Sequence, residues 1–302
     1  MSFTLTRRVA LASVLGAFAS TAAFAVDTSE VWDRTDWPDT LRIGVLPEED
    51  QAVMQQRYEP FKAHMEAELG MPVELFFGTD FSAMVEAMRF GNIEVSKFGP
   101  FAYILAAERA NAEAFVQGAR DRFAPTYQSY IIALADSGIE SPSDLEGKNF
   151  GFVDPASASG YLFPRSHLLE LFEADGVTND NIDSWFGNVI FTNGHDASVR
   201  AVLSGDIDAA AVSDSQVQRM TAAGEEGMEN VVVVTETAPI PRSPEAVRGD
   251  LPQSLKAAIK LAYLSFNDRE FLESHNYHGG FITVDDSAYD VVRTTQRLLG
   301  LD

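Results

Sequence analysis

Ser157, Ala158, Ser159 and Gly160 follow an apolar run, Phe150-Gly151-Phe152-Val153, and the turn-forming pair Asp154-Pro155, and they lead into an amphipathic segment with Pro164 near its start. That order reads as a strand, a turn and the first turn of a helix. The first amides of a helix have no carbonyl behind them, and its macrodipole places roughly half a positive charge at the same end. Two hydroxyls next to those amides, with a glycine that lets the backbone come close, make a set of donors suited to an anion. A serine in this position also fits a plain N-cap, and on this stretch alone both readings stand. His195, within Asn193-Gly194-His195-Asp196, and Tyr127, at a change of chain direction, add further donors. Ser157 or Ser159 with His195 and Asp214 can also be written as a hydrolase triad, although no nucleophile elbow surrounds either serine. The dinucleotide, P-loop and zincin motifs are missing, and His275 and His278 have no further metal ligand near them in sequence, so they read as loop residues. Donors outnumber acid/base pairs, which favours binding over turnover, with neither cofactor nor metal.

Positioning these residues calls for alternating strands and helices. Leu41 to Leu46 alternates apolar residues as a strand, and Pro47-Glu48-Glu49-Asp50 opens a helix whose apolar positions are Met54, Tyr58, Phe61, Met65 and Leu69. Their steps of three and four keep them on one face. Gly70 stops that helix before a second strand, Val73 to Phe77. A helix from Asp80, a short strand from Glu94 to Phe98 and a helix from Phe101 follow. In α/β sheets ligands collect at the carboxyl ends of strands, so Phe81 and Phe98 become candidate walls, with ordinary core packing as the alternative. Strand alternation puts Lys97 on the face opposite Phe98, where a solvated side chain is the preferred reading and a charge supporting the site from behind is the alternative. Tyr127 to Ala135 reads as one long strand crossing into a second unit, and Pro239 to Pro244 as an extended return. The expected division is a leader at 1–25, a first lobe of 26–134 and 238–302, and a second lobe of 135–237, with a cleft between the lobes.

The leader rests on Arg7-Arg8, the apolar run from Val9 to Phe18 and the small-residue site Ala23-Phe24-Ala25, a secretory pattern that implies export to the periplasm. Its apolar run is too short and too interrupted for a membrane span. With no cysteine in 302 residues, neither a disulfide nor a lipidated N-terminal cysteine is available. A net charge of −23 makes nucleic acid and anionic membrane poor partners, and reads as a solvated acidic surface.

Met88-Arg89-Phe90 with Phe98-Gly99-Pro100, Asp154-Pro155-Ala156-Ser157-Ala158-Ser159-Gly160 and Asn193-Gly194-His195 together resemble the phosphonate/phosphite/phosphate-binding components of ABC importers. The resemblance runs from Leu41 to the C-terminal helices. It implies a type II periplasmic binding protein fold: α/β, two lobes, each a mostly parallel sheet flanked by helices, with a hinged cleft. It further implies that Ser157, Ala158 and Ser159 hold phosphorus oxygens, that His195 donates from the second lobe, and that Phe81 and Phe98 replace tyrosines common in relatives. Ser215 and Ser243 stand where amine-binding relatives carry carboxylates, which argues against aminoethylphosphonate. The implied partners are a small phosphorus oxyanion and an inner-membrane permease. A ligand-loaded sensory partner of a membrane receptor, a binder of another small anion and a Ser/His hydrolase are the alternatives.

Overall fold

Leu41, Ile43 and Val45 point to one side of the first strand and are all buried, as alternation requires. The structure, a computed structural model, describes residues 32–46, 51–120 and 125–301. The leader and the helix opening at Pro47 to Asp50 lie outside the described residues.

Strand β1 (Leu41–Val45) is followed by helix α1 (Gln51–Leu69), whose buried residues are the five expected from their spacing. Then come β2 (Val73–Phe77), α2 (Phe81–Arg89), β3 (Val95–Lys97), α3 (Pro100–Ala110) and β4 (Ala112–Gly118). Asp80 caps α2 by accepting from the Ala83 amide at 2.6 Å. The chain next forms a short β5 (Thr126–Tyr127) and then β6 (Ser129–Leu134), β7 (Asn149–Phe152), α4 (Phe163–Phe172), α5 (Ile182–Trp185), β8 (Asn188–Phe191), α6 (His195–Ser204), β9 (Ala209–Ser213), α7 (Asp214–Ala222) and β10 (Val231–Glu236). It returns through β11 (Ile240–Pro241) into β12 (Pro244–Arg248), α8 (Gln253–Ser265), α9 (Arg269–Ser274), β13 (Phe281–Thr283) and α10 (Asp290–Leu298).

These strands build a six-stranded sheet, β13-β4-β12-β3-β1-β2, and a five-stranded sheet, β10-β6-β9-β7-β8. The two crossings meet as an antiparallel pair, β5 with β11. Helices cover both sheets, which gives two α/β lobes. Pairing is parallel only among β3, β1 and β2 and among β9, β7 and β8, and antiparallel elsewhere, so each sheet is mixed rather than mostly parallel. The reason is connectivity: the strands that follow the crossings enter against the direction of the βα units.

Two local expectations change. The stretch from Tyr127 to Ala135 is not one strand, and Ser129–Leu134, assigned above to the first lobe, hydrogen-bonds into the five-stranded sheet beside Ser213 and Val231. A strand at 244–248 was not foreseen, because it begins with proline and carries Glu245 and Arg248. It is nevertheless central, and its proline sits at the first position, where a missing amide costs least. Three of the apolar clusters lie under the helices of a single lobe. A fourth joins Phe81, Phe98 and Phe101 of the first lobe to Val153, Ala156, Leu162 and Phe163 of the second.

Candidate functional site

Topology brings the donors together before any side chain is considered. In the second lobe β7, β8 and β9 run parallel, so the turns after Phe152, Phe191 and Ser213 emerge at one edge. Antiparallel β6 starts at that same edge, opposite Ser213, with Tyr127 just before it. In the first lobe the ends of β3 and β4 lie beside the start of β12, which delivers Arg242 and Ser243. Antiparallel β13 begins beside Gly118, with His275 and Tyr277 leading into it. The two edges enclose a cavity of about 70 Å³.

The turn after β7 is built by Asp154. Its side chain accepts from the Ala156 amide at 2.7 Å and its carbonyl from the Ser157 amide at 2.9 Å. Burial raises its pKa above the ordinary aspartate value, offset in part by the amides of Ala156 and Phe81. Ser157 is then an N-cap, accepting from the Gly160 amide at 3.0 Å. The helix begins with a wide turn in which the Leu162 amide reaches the Ser157 carbonyl at 3.0 Å and the Phe163 amide reaches that of Ala158. Val153 donates to the Gly160 carbonyl at 3.0 Å, and a Cβ on Gly160 would lie 2.4 Å from the Val153 Cβ, so only glycine fits there. Ser129 Oγ holds the Ser159 carbonyl at 2.5 Å.

The cap and the cradle are therefore compatible. Ser157 Oγ spends a lone pair on Gly160 and keeps its proton to donate. The amides of Ala158 and Ser159 come first in the turn, with no helical carbonyl behind them. Both serines are about 98% buried or more, and both line the cavity with Ala158.

His195 reaches the same cavity because the chain after β8 continues alongside β7, through the Thr192 amide to the Phe152 carbonyl (2.9 Å) and Asn193 to Val153 (2.8 Å). Asn193, at φ 64°, makes the turn that opens α6. The Ser213 amide donates to His195 Nδ1 at 3.2 Å. In the neutral ring that leaves the proton on Nε2, making it a donor. A hydrolase would orient Nδ1 with a carboxylate, yet here an amide holds it, and Asp214 instead accepts from Ser215 at 3.0 Å.

Of the residues named from the sequence, Phe81, Tyr127, Ser157, Ala158, Ser159, His195, Ser215 and Ser243 line the cavity. Gly160 supports the turn from behind. Phe98 is not a wall: it is fully buried in the apolar cluster that joins the lobes. Lys97 is corrected in the opposite sense, being only 7% exposed and lining the cavity. Alternation holds, but β3 is a central strand with both faces covered, so it has no solvated face. Lys97 stands across from Glu245 on β12, and its Nζ lies 5.8 Å from the centre of the Tyr277 ring. His275 lies, as expected, outside a helix, in the turn that caps α9, but it is not solvated. It is buried at the end of α9, stacked 4.0 Å from Phe271 and bonded through Nδ1 to the Phe271 carbonyl at 2.8 Å.

Arg219, Arg242 and Tyr277 also line the cavity and were missed. Arg242 is 7% exposed, and its Nε and Nη2 are buried with no acceptor among the described residues. Burial lowers its pKa from the usual arginine value, while Tyr277, Asp214 and Tyr127 pull the other way. The one available signal was an arginine between two prolines in a crossing segment. Among the described residues no carboxylate lines the cavity.

The chain matches, over residues 43–289, the family described as ABC transporter, phosphonate, periplasmic substrate-binding protein. It is 31% identical over 220 residues to the phosphate-import protein PhnD of Mycolicibacterium smegmatis, covering 70% of this chain and 67% of that one. It is 25% identical over 260 residues to the phosphonates-binding periplasmic protein of Escherichia coli, covering 84% and 75%. Among solved structures, a binding protein component of an ABC phosphonate transporter from Pseudomonas aeruginosa superposes with a TM-score of 0.78 at 24% identity, over 86% of each chain. PhnD1 from Prochlorococcus marinus, in complex with methylphosphonate, gives 0.76 at 20% identity over 87% and 99%. The fold is that of the type II periplasmic binding proteins, and the chain belongs to the phosphonate family of periplasmic substrate-binding proteins of ABC transporters.

Proposed function

We propose that this chain captures a small tetrahedral phosphorus oxyanion, such as phosphite, methylphosphonate or phosphate, and presents it to an inner-membrane permease. The observation that carries the reading is the convergence of the Ala158 and Ser159 amides, the Ser157 and Ser159 hydroxyls and His195 on one small cavity between the lobes. Donors held in a water-excluded site make strong charge-assisted bonds to oxyanion oxygens. At about 70 Å³ the cavity is less than half of the roughly 150 Å³ that holds benzene in an engineered core, so it suits a few heavy atoms. In this reading Ser157, Ala158 and Ser159 hold the oxygens, His195 donates from a second direction, Phe81 and Tyr127 form the walls, and Ser215 and Ser243 complete the far side. Serines in place of carboxylates leave a ligand ammonium without a partner.

The lobes open and close about the β5/β11 ribbon, with Ser129 to Glu236 forming the second lobe. The leader ending at Ala25 directs the chain to the periplasm, where transport rather than catalysis is its work.

Titration calorimetry of phosphite, methylphosphonate and phosphate against the parent, Ser157→Ala, Ser159→Ala and His195→Ala tests the site. Each lost bond to a charged ligand should weaken binding about 10- to 150-fold. Ser157→Ala should also cost about 1 kcal/mol of stability through the lost cap, whereas Ser159→Ala should not. Undiminished affinity in all three variants refutes the assignment.

A further inference from the structure

Arg242 presents a problem that the neutral donors do not solve. Its guanidinium is carried on the returning crossing between Pro241 and Pro244, its backbone is pinned by its amide to the Pro125 carbonyl (3.1 Å) and by Tyr289 Oη to its own carbonyl (3.0 Å). The side chain has therefore been placed against the cavity rather than left to reach solvent. Two of its nitrogens, Nε and Nη2, are buried there with no acceptor among the described residues. A buried cation lacking a hydrogen-bonded counter-charge is costly, by several kcal/mol. The groups that act on it electrostatically are Tyr277, Arg120, Asp214 and Tyr127, and Asp214 is occupied by Ser215. Lys97, the other cation on the first-lobe side, is different, since it stands across the strands from Glu245. Around Arg242 the cavity offers hydroxyls, two imidazoles, aromatic edges and the cationic side chains of Lys97 and Arg219, and among the described residues no lining carboxylate.

We propose that Arg242 is a ligand-contacting residue that sets the charge state accepted by the cavity: its guanidinium is completed by the second negative charge of a fully ionised tetrahedral anion. This rests on the oxyanion reading above and goes beyond it, since the serine turn and His195 would serve a singly charged anion equally well. A guanidinium presents planar paired donors to two oxygens of such a group. A dianion gains from both the neutral cradle and Arg242. A sulfonate of the same shape brings one charge spread over three oxygens, and a zwitterionic phosphonate sets its ammonium against a cation.

The test is calorimetry at pH 8 with methylphosphonate and methanesulfonate, which are close in shape and differ in charge, on the full chain and on Arg242→Gln and Arg242→Lys. In the parent, methylphosphonate should bind at least about 100-fold tighter than methanesulfonate, the scale of a strong charged bond. In Arg242→Gln that ratio should fall at least about 10-fold through loss of methylphosphonate affinity, Lys97 and Arg219 remaining at the cavity, and Arg242→Lys should recover part of it. Equal affinity of the parent for the two ligands overturns the proposal without recourse to any variant, as does an unchanged ratio in a folded Arg242→Gln protein. If the parent binds neither these ligands nor phosphite nor phosphate, the oxyanion reading itself fails, which is a distinct result.

Discussion

Single residues in this protein carry two duties at once, and Ser157 shows how: a lone pair stabilises the helix start while the proton stays available to the cavity. Gly160 shows the reverse, a residue whose value lies in having no side chain beside Val153. The motif around them was readable because capping and anion binding ask for the same residue types. Lys97 and Arg242 were not readable, because a sequence does not state which of its charges will be enclosed. His167 offers a test at this scale. Its ring, half-buried on α4, lies 2.9 Å from Thr235 Oγ1 on β10, and burial depresses its pKa, with Glu170 acting the other way. A depressed folded-state value means the neutral form is favoured by folding. The associated stability is complete above the unfolded value of about 6.5 and is lost as pH falls through the lower folded value. Chemical denaturation from pH 7.5 down to pH 5 should therefore show a loss of stability that His167→Gln flattens. An identical slope in the variant would remove His167 from the account.

Among the elements, β3 is the informative one. It is three residues long, lies between β1 and β12, and is buried along its whole length. Period-two alternation correctly separates Lys97 from Phe98. What it cannot supply is which face meets the cavity, since that depends on β12, a strand that arrives from about 150 residues further along the chain. The consequence is a pair of variants with opposite signatures. Phe98→Ala should cost about 3–5 kcal/mol of stability by hollowing the cluster between the lobes. Ligand affinity in the protein that remains folded should change far less. Lys97→Met, which keeps the stem and removes the charge, should instead alter affinity for a charged ligand. Equal loss of stability in both, with no change in binding, would contradict the assignment of the two faces.

At the scale of the whole molecule two features oppose each other. The chain carries a net charge of −23, and the cavity at its centre is lined by donors and cations. An acidic surface repels an approaching anion over a range set by the Debye length, about 10 Å at 0.1 M salt and about 30 Å at 0.01 M. Stopped-flow association of methylphosphonate should thus become faster as sodium chloride rises from 10 to 150 mM, with the change confined largely to the on-rate. Association slowed by salt would show that the local positive field reaches beyond the cavity and dominates. Contacts also cross the gap between the lobes, including the Phe81 amide to Asp154 at 3.4 Å, Arg120 to Gln218, and Asn179 to the Leu299 carbonyl at 2.7 Å.

What the sequence determined by itself was local: the periodicity of α1, the capping residues, the turn at Asp154 to Gly160 and the alternation of strands and helices up to the return crossing, all of which depend on neighbours within a few residues. The tertiary structure decided what depends on distant partners. It moved Ser129–Leu134 into the second sheet and inserted Pro244–Arg248 into the centre of the first. It buried Phe98 between the lobes and turned Lys97, Arg242, His275 and Tyr277 toward one small space. The physical reason is that burial is a property of the assembled sheets: a side chain's dielectric surroundings and partners come from segments that no local pattern contains.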